Sequence, residues 1–112
     1  MHKVAFYQTP SGNKVVLEFI RDLSAEDRKV VGEDLKTVQI GFPMGLPLCR
    51  PLGEGLYEIR SSLASRREMR LIFYFDRPRQ SLAIVHALIK KSAKLPKADL
   101  ELARKRKDET LR

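Results

Sequence analysis

The chain has 112 residues and a formal net charge of +8, with 43% hydrophobic and 32% charged residues. This length suits one domain around one core, so we expect residues 1–112 to form a single domain. No run of about 18 apolar residues is present, which excludes an ordinary transmembrane helix and favours a cytoplasmic protein without membrane contacts. Cys49 is the only cysteine, which excludes an intrachain disulfide.

The positive charge is concentrated in the second half of the chain. Residues 1–49 carry six basic and six acidic side chains, whereas residues 50–112 carry sixteen basic and eight acidic ones. Such an excess attracts polyanions without sequence preference, and it would equally suit an acidic protein partner.

The first half predicts one strand and two helices. Lys3–Tyr7 is short and apolar, as a first strand would be. After a break at Thr9 and Pro10, apolar residues recur at helical spacing. These residues are Val15, Val16, Phe19, Ile20 and Leu23. A second helix is predicted from about Ala25 to Ile40, because Ser24 can cap its start and Gly41 can end it.

The next stretch, Gly41–Gly55, is predicted to be irregular because seven of its fifteen residues are Gly or Pro. Three apolar or alternating runs follow, at Leu56–Ser61, Glu68–Phe75 and Leu82–Ile89, and these predict strands. A turn-like segment, Asp76–Gln80, separates the last two and indicates an antiparallel hairpin.

Alternation within these strands gives each one an apolar face and a face with ionisable groups. We expect the apolar face to be covered by the two helices. If the polar faces coincide, one surface carries Arg60, Arg70, His86 and Lys90. The pairing register is not fixed by the sequence, and an ordinary sheet with solvated charges would show the same pattern.

A last helix is predicted over Lys97–Lys107, with Pro96 in its first turn. Its basic residues lie near the C-terminal end, where they complement the helix dipole. A contact with nucleic acid would explain the same basic run.

Several kinds of chemistry have no support in the sequence. It contains no Gly-rich phosphate loop and no His or Cys residues at metal-ligand spacing. Only Glu58 and Glu68 lie within the predicted central strands, which argues against the carboxylate cluster of a two-metal nuclease. We therefore expect neither a metal nor a cofactor.

The basic residues that remain suit metal-independent RNA cleavage. In that reaction the ribose 2′-hydroxyl attacks the adjacent phosphate, a base and an acid transfer protons, and cations stabilise the phosphorane. Arg can clamp phosphate oxygens, His titrates near neutrality, and a Lys among other cations can have a lowered pKa. Plain RNA binding requires the same residue types.

Three segments together resemble the RelE/HigB toxin superfamily, and in particular its HigB-like branch related to a phage-derived protein. They are Pro51–Arg60, Arg70–Phe75 and His86–Pro96, and Glu101–Arg106 is similar to the closing motif of that family. The resemblance implies an α+β fold, with two N-terminal helices packed on a small twisted antiparallel-rich sheet and a C-terminal helix.

The resemblance also implies a toxin of a type II toxin–antitoxin system, an endoribonuclease that cleaves mRNA on the ribosome. Its partner would be an antitoxin, of the helix-turn-helix type and encoded adjacent to it. The catalytic positions would be Arg60, Arg70, His86, Lys90 and Lys91. The RNA-binding positions would be Arg67, Lys94, Lys97 and Arg104.

Two alternatives share this fold: a ParE-like toxin that inhibits DNA gyrase, and a non-catalytic RNA-binding relic. Lys90, Lys91 and Lys94 favour the nuclease, because ParE-like chains generally lack clustered catalytic cations. RelE-type relatives often use a Tyr near the C-terminus, and this chain has none after Tyr74. The general acid and base therefore cannot be taken from them.

Overall fold

The computed structural model describes residues 1–111 and shows five strands and three helices. The strands are β1 (Lys3–Phe6), β2 (Cys49–Gly53), β3 (Leu56–Ser62), β4 (Glu68–Asp76) and β5 (Ser81–Lys90). The helices are α1 (Val15–Arg21), α2 (Ala25–Gly41) and α3 (Lys97–Leu111). The strands form one sheet in the order β1-β5-β4-β3-β2, antiparallel except for the parallel pair β1 and β5. The predicted α+β class is confirmed.

One face of the sheet packs against α1 and α2, as predicted from the apolar stripes. The core on this face includes Val16, Val31 and Val38 from the helices and Ile59, Met69, Leu71 and Phe73 from the sheet. Ser24 accepts a hydrogen bond from the backbone N–H of Asp27 at 3.2 Å, which confirms the predicted cap of α2. Burial of these side chains supplies the main driving force for folding.

The opposite face is divided between an apolar half and a charged half. Helix α3 covers the apolar half, where Ala103 packs with sheet residues. Those sheet residues include Leu56, Ile72, Tyr74, Val85 and Leu88. Beyond the cover of α3, near the start of β4, the same face carries Arg70 and its charged neighbours, and this division sets the position of the candidate site.

A β-bulge corrects the predicted alternation of β5. Ile72 pairs with His86 but Phe73 pairs with Ile84, so Val85 is an extra residue in the ladder. The extra residue changes the face on which the following side chains lie. Ala83 and Val85 pack in the cluster under α3, whereas Ala87 packs under α1 and α2. The expectation that alternation gives β5 a single apolar face was therefore wrong.

The prediction of irregular structure over Gly41–Gly55 was also wrong at its end, because Cys49–Gly53 forms β2. A two-residue turn joins β2 to β3, with φ of 55° at Glu54 and 78° at Gly55. Positive φ at both central residues is the geometry of the common tight hairpin. Pro51 is tolerated because β2 is an edge strand.

Helix α1 begins at Val15, the first residue of the predicted apolar stripe, and Thr9 and Pro10 lie before it. Thr9 holds a turn in which its side-chain oxygen accepts from the backbone N–H of Asn13 at 3.0 Å. Within residues 1–111, no helix has the length and apolar character needed to cross a membrane.

Candidate functional site

The strand register places three of the predicted site residues on one face of the sheet. Arg60 in β3 lies directly opposite Arg70 in β4, and Glu68 in β4 lies opposite Lys90 in β5. Directly opposed residues in antiparallel strands share a face, with Cβ atoms about 5 Å apart. The coincidence of polar faces that the sequence left open is therefore present for Arg60, Arg70 and Lys90.

A buried carboxylate organises these cations. The Glu58 side chain is only 1% exposed, yet three guanidinium groups surround it. Its Oε2 atom lies 3.2 Å from Arg60 NH1 and 3.4 Å from Arg50 Nε, and its Oε1 atom lies 3.7 Å from Arg70 Nε. A buried charge is tolerated when it is paired in this way. We refer to Arg50, Arg60, Arg70 and Lys90 around Glu58 as the cationic cluster.

Arg70 forms the buried base of the cationic cluster. Its side chain is 3% exposed, and its NH1 group donates to the Met69 carbonyl at 3.1 Å and to Glu68 Oε1 at 3.4 Å. For Arg70 the alternative of a solvated charge is therefore wrong. The physical reason is that Glu58 and Glu68 bracket the guanidinium, so its charge is compensated within the protein.

Arg50 and Arg60 form the accessible rim of the cationic cluster. Their side chains are 48% and 29% exposed, so both guanidinium groups can donate outward as well as to Glu58. Arg50 was missed at the sequence level because it lay in the stretch predicted to be irregular. The available signal was the Glu54-Gly55 turn, which makes a hairpin partner of the preceding residues and pairs Arg50 with Glu58.

Lys90 lies at the side of the cationic cluster. Partial burial, together with the positive charges of Arg70, Arg60 and Arg50, lowers the pKa of the Lys90 ammonium, while Glu58 acts in the opposite direction. A lysine with a lowered pKa has a larger neutral fraction at a given pH than an unperturbed lysine.

His86 lies under α3 instead of in the cationic cluster. Its Nε2 atom is 2.6 Å from Asp99 Oδ1, and its Nδ1 atom is 3.3 Å from Arg106 NH1. Arg106 NH1 also donates to the Val85 carbonyl at 2.9 Å. Both ring nitrogens are thus engaged, and four strand residues, or about 13 Å, separate His86 from Lys90. This geometry makes His86 a link between β5 and α3.

The remaining predicted residues are distributed over three places. Lys91 and Lys94 are exposed in the segment that follows β5, and Lys97 is 89% exposed at the start of α3. Arg104 pairs with Glu54 at 2.8 Å, beside the β2–β3 turn. Arg67 pairs with Asp27 of α2 at 3.2 Å. The first three follow Lys90 in the chain, along the segment that leads from β5 into α3.

The described part of the chain, residues 1–111, contains no group of three or more His, Cys, Asp or Glu side chains arranged to hold a metal ion. Burial raises the pKa of the Cys49 thiol to about 11, so this cysteine stays protonated at neutral pH. The accessible side chains that the site does present, those of Arg50 and Arg60, are hydrogen-bond donors that can bind anions.

Comparison with known proteins places this arrangement in a family. Residues 18–108 match the family described as Phage derived protein Gp49-like (DUF891), which covers all three central strands and most of α3. No curated protein matches the chain. Because the match spans far more than half of the 112 residues, the chain belongs to the Gp49-like family of phage-derived proteins, within the RelE/ParE-like toxin superfamily.

Proposed function

We propose that this chain is the toxin of a type II toxin–antitoxin system and that it cleaves mRNA at the cationic cluster. Membership of the Gp49-like family is consistent with a toxin of the RelE-like kind. The observation that carries the proposal is the convergence of Arg50, Arg60 and Arg70 on buried Glu58, with Lys90 beside them.

The cationic cluster suits a phosphate because its positive charges are not fully compensated. Four cations face two carboxylates, Glu58 and Glu68, and the accessible groups belong to Arg50 and Arg60. A guanidinium presents paired N–H donors that match two phosphate oxygens. Arg70 adds charge from beneath without contacting the substrate, since its guanidinium is committed to Glu68 and the Met69 carbonyl.

The proposed reaction needs no metal. The 2′-hydroxyl of one nucleotide attacks its own 3′-phosphate, the bond to the next 5′-oxygen breaks, and that oxygen takes up a proton from water, so that a 2′,3′-cyclic phosphate and a 5′-hydroxyl result. Lys90 is our candidate for the group that accepts the proton from the 2′-hydroxyl, because it lies on the same face of the sheet as Arg60 and Arg70 and its pKa is lowered. Arg50 and Arg60 stabilise the charge that develops on the phosphorane oxygens.

The surroundings of the site suit a polyanionic substrate. Lys91, Lys94 and Lys97 continue from β5 into α3 and can track an RNA backbone. We further propose that cleavage occurs on the ribosome, which would present the mRNA in a fixed conformation. Of the earlier candidates, we assign Arg67 and Arg104 to structural ion pairs and His86 to the attachment of α3.

The toxin–antitoxin family suggests an antitoxin partner. We propose a helix-turn-helix antitoxin encoded next to this chain, with an acidic segment that covers the cationic cluster. Such a segment would compete with RNA for Arg50 and Arg60, and this competition would neutralise the toxin.

Controlled expression in bacteria followed by mapping of mRNA 5′ ends tests this function. We expect growth arrest and new 5′ ends within translated regions, both reversed by co-expression of the adjacent small reading frame. An Arg60→Ala variant expressed to the same level provides the inactive control. Growth arrest with intact mRNA and accumulating DNA breaks would instead identify a gyrase inhibitor.

A further inference from the structure

Lys90 is the cation of the cationic cluster that has no carboxylate partner of its own. The three arginines share the carboxylate of Glu58, at distances from 3.2 to 3.7 Å. Lys90 lies directly opposite Glu68 in the strand ladder, but the Glu68 carboxylate contacts Arg70 at 3.4 Å instead. Lys90 takes part in no ion pair within residues 1–111, and its side chain is half-buried. Its nitrogen is therefore left to interact with a ligand.

The strand register places Lys90 beside the accessible rim of the cluster. Arg60 in β3 and Lys90 in β5 lie on the same face, on either side of β4 with its buried Arg70. Two strand spacings and a shift of two residues separate them, which gives about 12 Å between their Cβ atoms. The charges of Arg70, Arg60 and Arg50 all lower the pKa of Lys90, so its nitrogen lies within their electrostatic range. A small anion on the rim would thus lie next to the Lys90 side chain.

The chemistry of these side chains narrows the class of ligand. The rim guanidinium groups of Arg50 and Arg60 present paired N–H donors that match phosphate oxygens. Lys90 presents an amine, and a neutral lysine amine is a nucleophile towards carbonyl carbon. An acyl phosphate combines both features, because its carbonyl carbon is joined to the phosphate through one bridging oxygen. A phosphate on the rim would therefore hold the carbonyl carbon close to Lys90.

We propose that the cationic cluster is also a site of acylation, at which an acyl phosphate transfers its acyl group to Nζ of Lys90. The neutral amine attacks the carbonyl carbon and forms the N–C bond of an amide. The bond between that carbon and the bridging oxygen breaks, and its electron pair leaves with the phosphate. The departing phosphate takes up the proton lost from nitrogen and leaves as hydrogen phosphate. Arg50 and Arg60 stabilise the charge on the leaving phosphate oxygens.

Acylation of Lys90 would regulate the nuclease, and this consequence rests on the proposed function. An amide nitrogen is not basic, so acylated Lys90 cannot accept the proton of the 2′-hydroxyl. The cluster also loses one of its positive charges and binds RNA phosphate less well. The activity of the toxin would then fall as the concentration of acyl phosphate rises.

Two acetylating reagents test the acylation site on the purified chain. Acetyl phosphate carries the phosphate group, whereas acetic anhydride transfers the same acetyl group without it and reports the nucleophilicity and access of each lysine. Peptide mass spectrometry gives the rates at Lys90 and at Lys105, which is exposed in the basic run of α3 and controls for general attraction of anions. The ratio of these rates should be at least about tenfold higher with acetyl phosphate, the gain from one charge-assisted hydrogen bond.

Variants and a competitor assign this preference to the rim of the cluster. The rate at Lys90 should saturate with acetyl phosphate, and inorganic phosphate should compete with it. Arg60→Gln should abolish the preference, and acetic anhydride corrects for the effect of the Arg60 charge on the Lys90 pKa. Arg79→Gln is the matched control and should keep the preference, because Arg79 is 76% exposed and pairs with Asp76 at the other end of β4.

A chain that carries acetyl-lysine only at position 90, introduced during translation, tests the regulatory consequence. It should cleave mRNA on ribosomes at least about 100-fold more slowly than the unmodified chain. Equal rate ratios with the two reagents, or a preference that survives Arg60→Gln, would overturn the acylation site and leave the nuclease untouched. Selective acetylation of a chain that does not cleave mRNA would retain the acylation site and refute the nuclease. Full cleavage by the chain acetylated at Lys90 would overturn the regulation.

Discussion

Glu58 and Arg70 are buried side by side in the charged half of the sheet, with Glu58 Oε1 and Arg70 Nε 3.7 Å apart. The pair is asymmetric, because Glu58 also contacts Arg50 and Arg60, whereas Arg70 also contacts Glu68. Removing the carboxylate therefore leaves three guanidinium groups without their shared partner. Removing Arg70 still leaves Glu58 in contact with two guanidinium groups, those of Arg50 and Arg60.

This asymmetry predicts unequal effects on stability. Glu58→Met should lower the free energy of unfolding by about 3–5 kcal/mol, the usual loss when a buried charge is left uncompensated. Arg70→Met should lower it by less. The double variant should be more stable than Glu58→Met alone, because no buried guanidinium then remains unpaired at that position. Urea denaturation measures these values, with Glu33→Gln as the exposed control. Equal losses of stability in Glu58→Met and Arg70→Met that add up in the double variant would contradict the pairing of Glu58 with Arg70.

A variant of His86 can distinguish a structural role in holding α3 from a catalytic role in proton transfer. His86→Gln should loosen α3, because the contacts to Asp99 and Arg106 hold that helix on β5. Faster amide hydrogen exchange in α3 measures this loosening. Cleavage by the cationic cluster should remain within about threefold of wild type, far from the loss of about 100-fold or more typical for general acid–base residues. A large loss of activity without a change in exchange would make His86 catalytic.

The lowered pKa of Lys90 can be measured by chemical labelling of its ε-amine. Its pKa is lowered first by burial and then by Arg70, so its ε-amine should be neutral to a greater extent than that of an unperturbed lysine at the same pH. Acetylation with limiting reagent, followed by mass spectrometry across pH 7–10, should show half-maximal labelling of Lys90 below the ordinary lysine value of 10.5. Glu58→Gln should lower this midpoint further, since the Glu58 charge raises the Lys90 pKa. A labelling midpoint of Lys90 at or above 10.5 would remove Lys90 as the proton acceptor.

The contacts of the Asp27 carboxylate predict that part of the stability of the fold depends on pH. Its carboxylate accepts from the backbone N–H of Ser65 at 2.9 Å, from the Ser65 hydroxyl at 2.8 Å and from Arg67 at 3.2 Å, and the first of these contacts contributes most to lowering its pKa. Because the folded-state pKa is below the ordinary value of 3.8, the stabilisation is complete above that value and is lost as the pH falls through the lowered pKa.

The comparison of wild type with Asp27→Asn isolates this effect. The wild-type chain should have the higher melting temperature at pH 7, and the difference should shrink as the pH falls below about 4. Thermal unfolding monitored by circular dichroism from pH 7 to pH 2.5 gives both curves. A difference that stays constant over this range would show that the contribution of Asp27 to stability does not depend on the charge of its carboxylate.

The sequence predicted the elements whose hydrophobic period was clear. The starts of β3, β4 and α2 were predicted within one residue, because alternating or helical apolar patterns define them. The bulge at Val85 was not predicted, since one extra residue changes the face without changing composition. Strand β2 was missed because its Gly and Pro content outweighed its short edge-strand pattern.

The candidate site could be predicted only in part, because it depends on how the strands pair. Parity could place Arg60, Arg70 and Lys90 on one face only if the polar faces of the strands coincide, and parity does not reveal burial. The pairing of Arg70 with Glu58 depends on neighbouring strands, so its buried position required the register. The same register places Arg50 opposite Glu58, and His86 contacts Asp99 of α3. Neither position followed from local sequence.

The most direct test of the account is single-turnover cleavage of a defined mRNA on purified ribosomes by wild type, Arg60→Ala, Arg50→Ala and the exposed control Lys105→Ala. Loss of one preorganised donor should reduce the rate by roughly 100- to 1,000-fold in each rim variant. Lys105→Ala should cleave at the wild-type rate, all four proteins should unfold cooperatively, and the product should carry a 2′,3′-cyclic phosphate. Wild-type rates in folded Arg50→Ala and Arg60→Ala would contradict the assignment of the cationic cluster as the cleavage site.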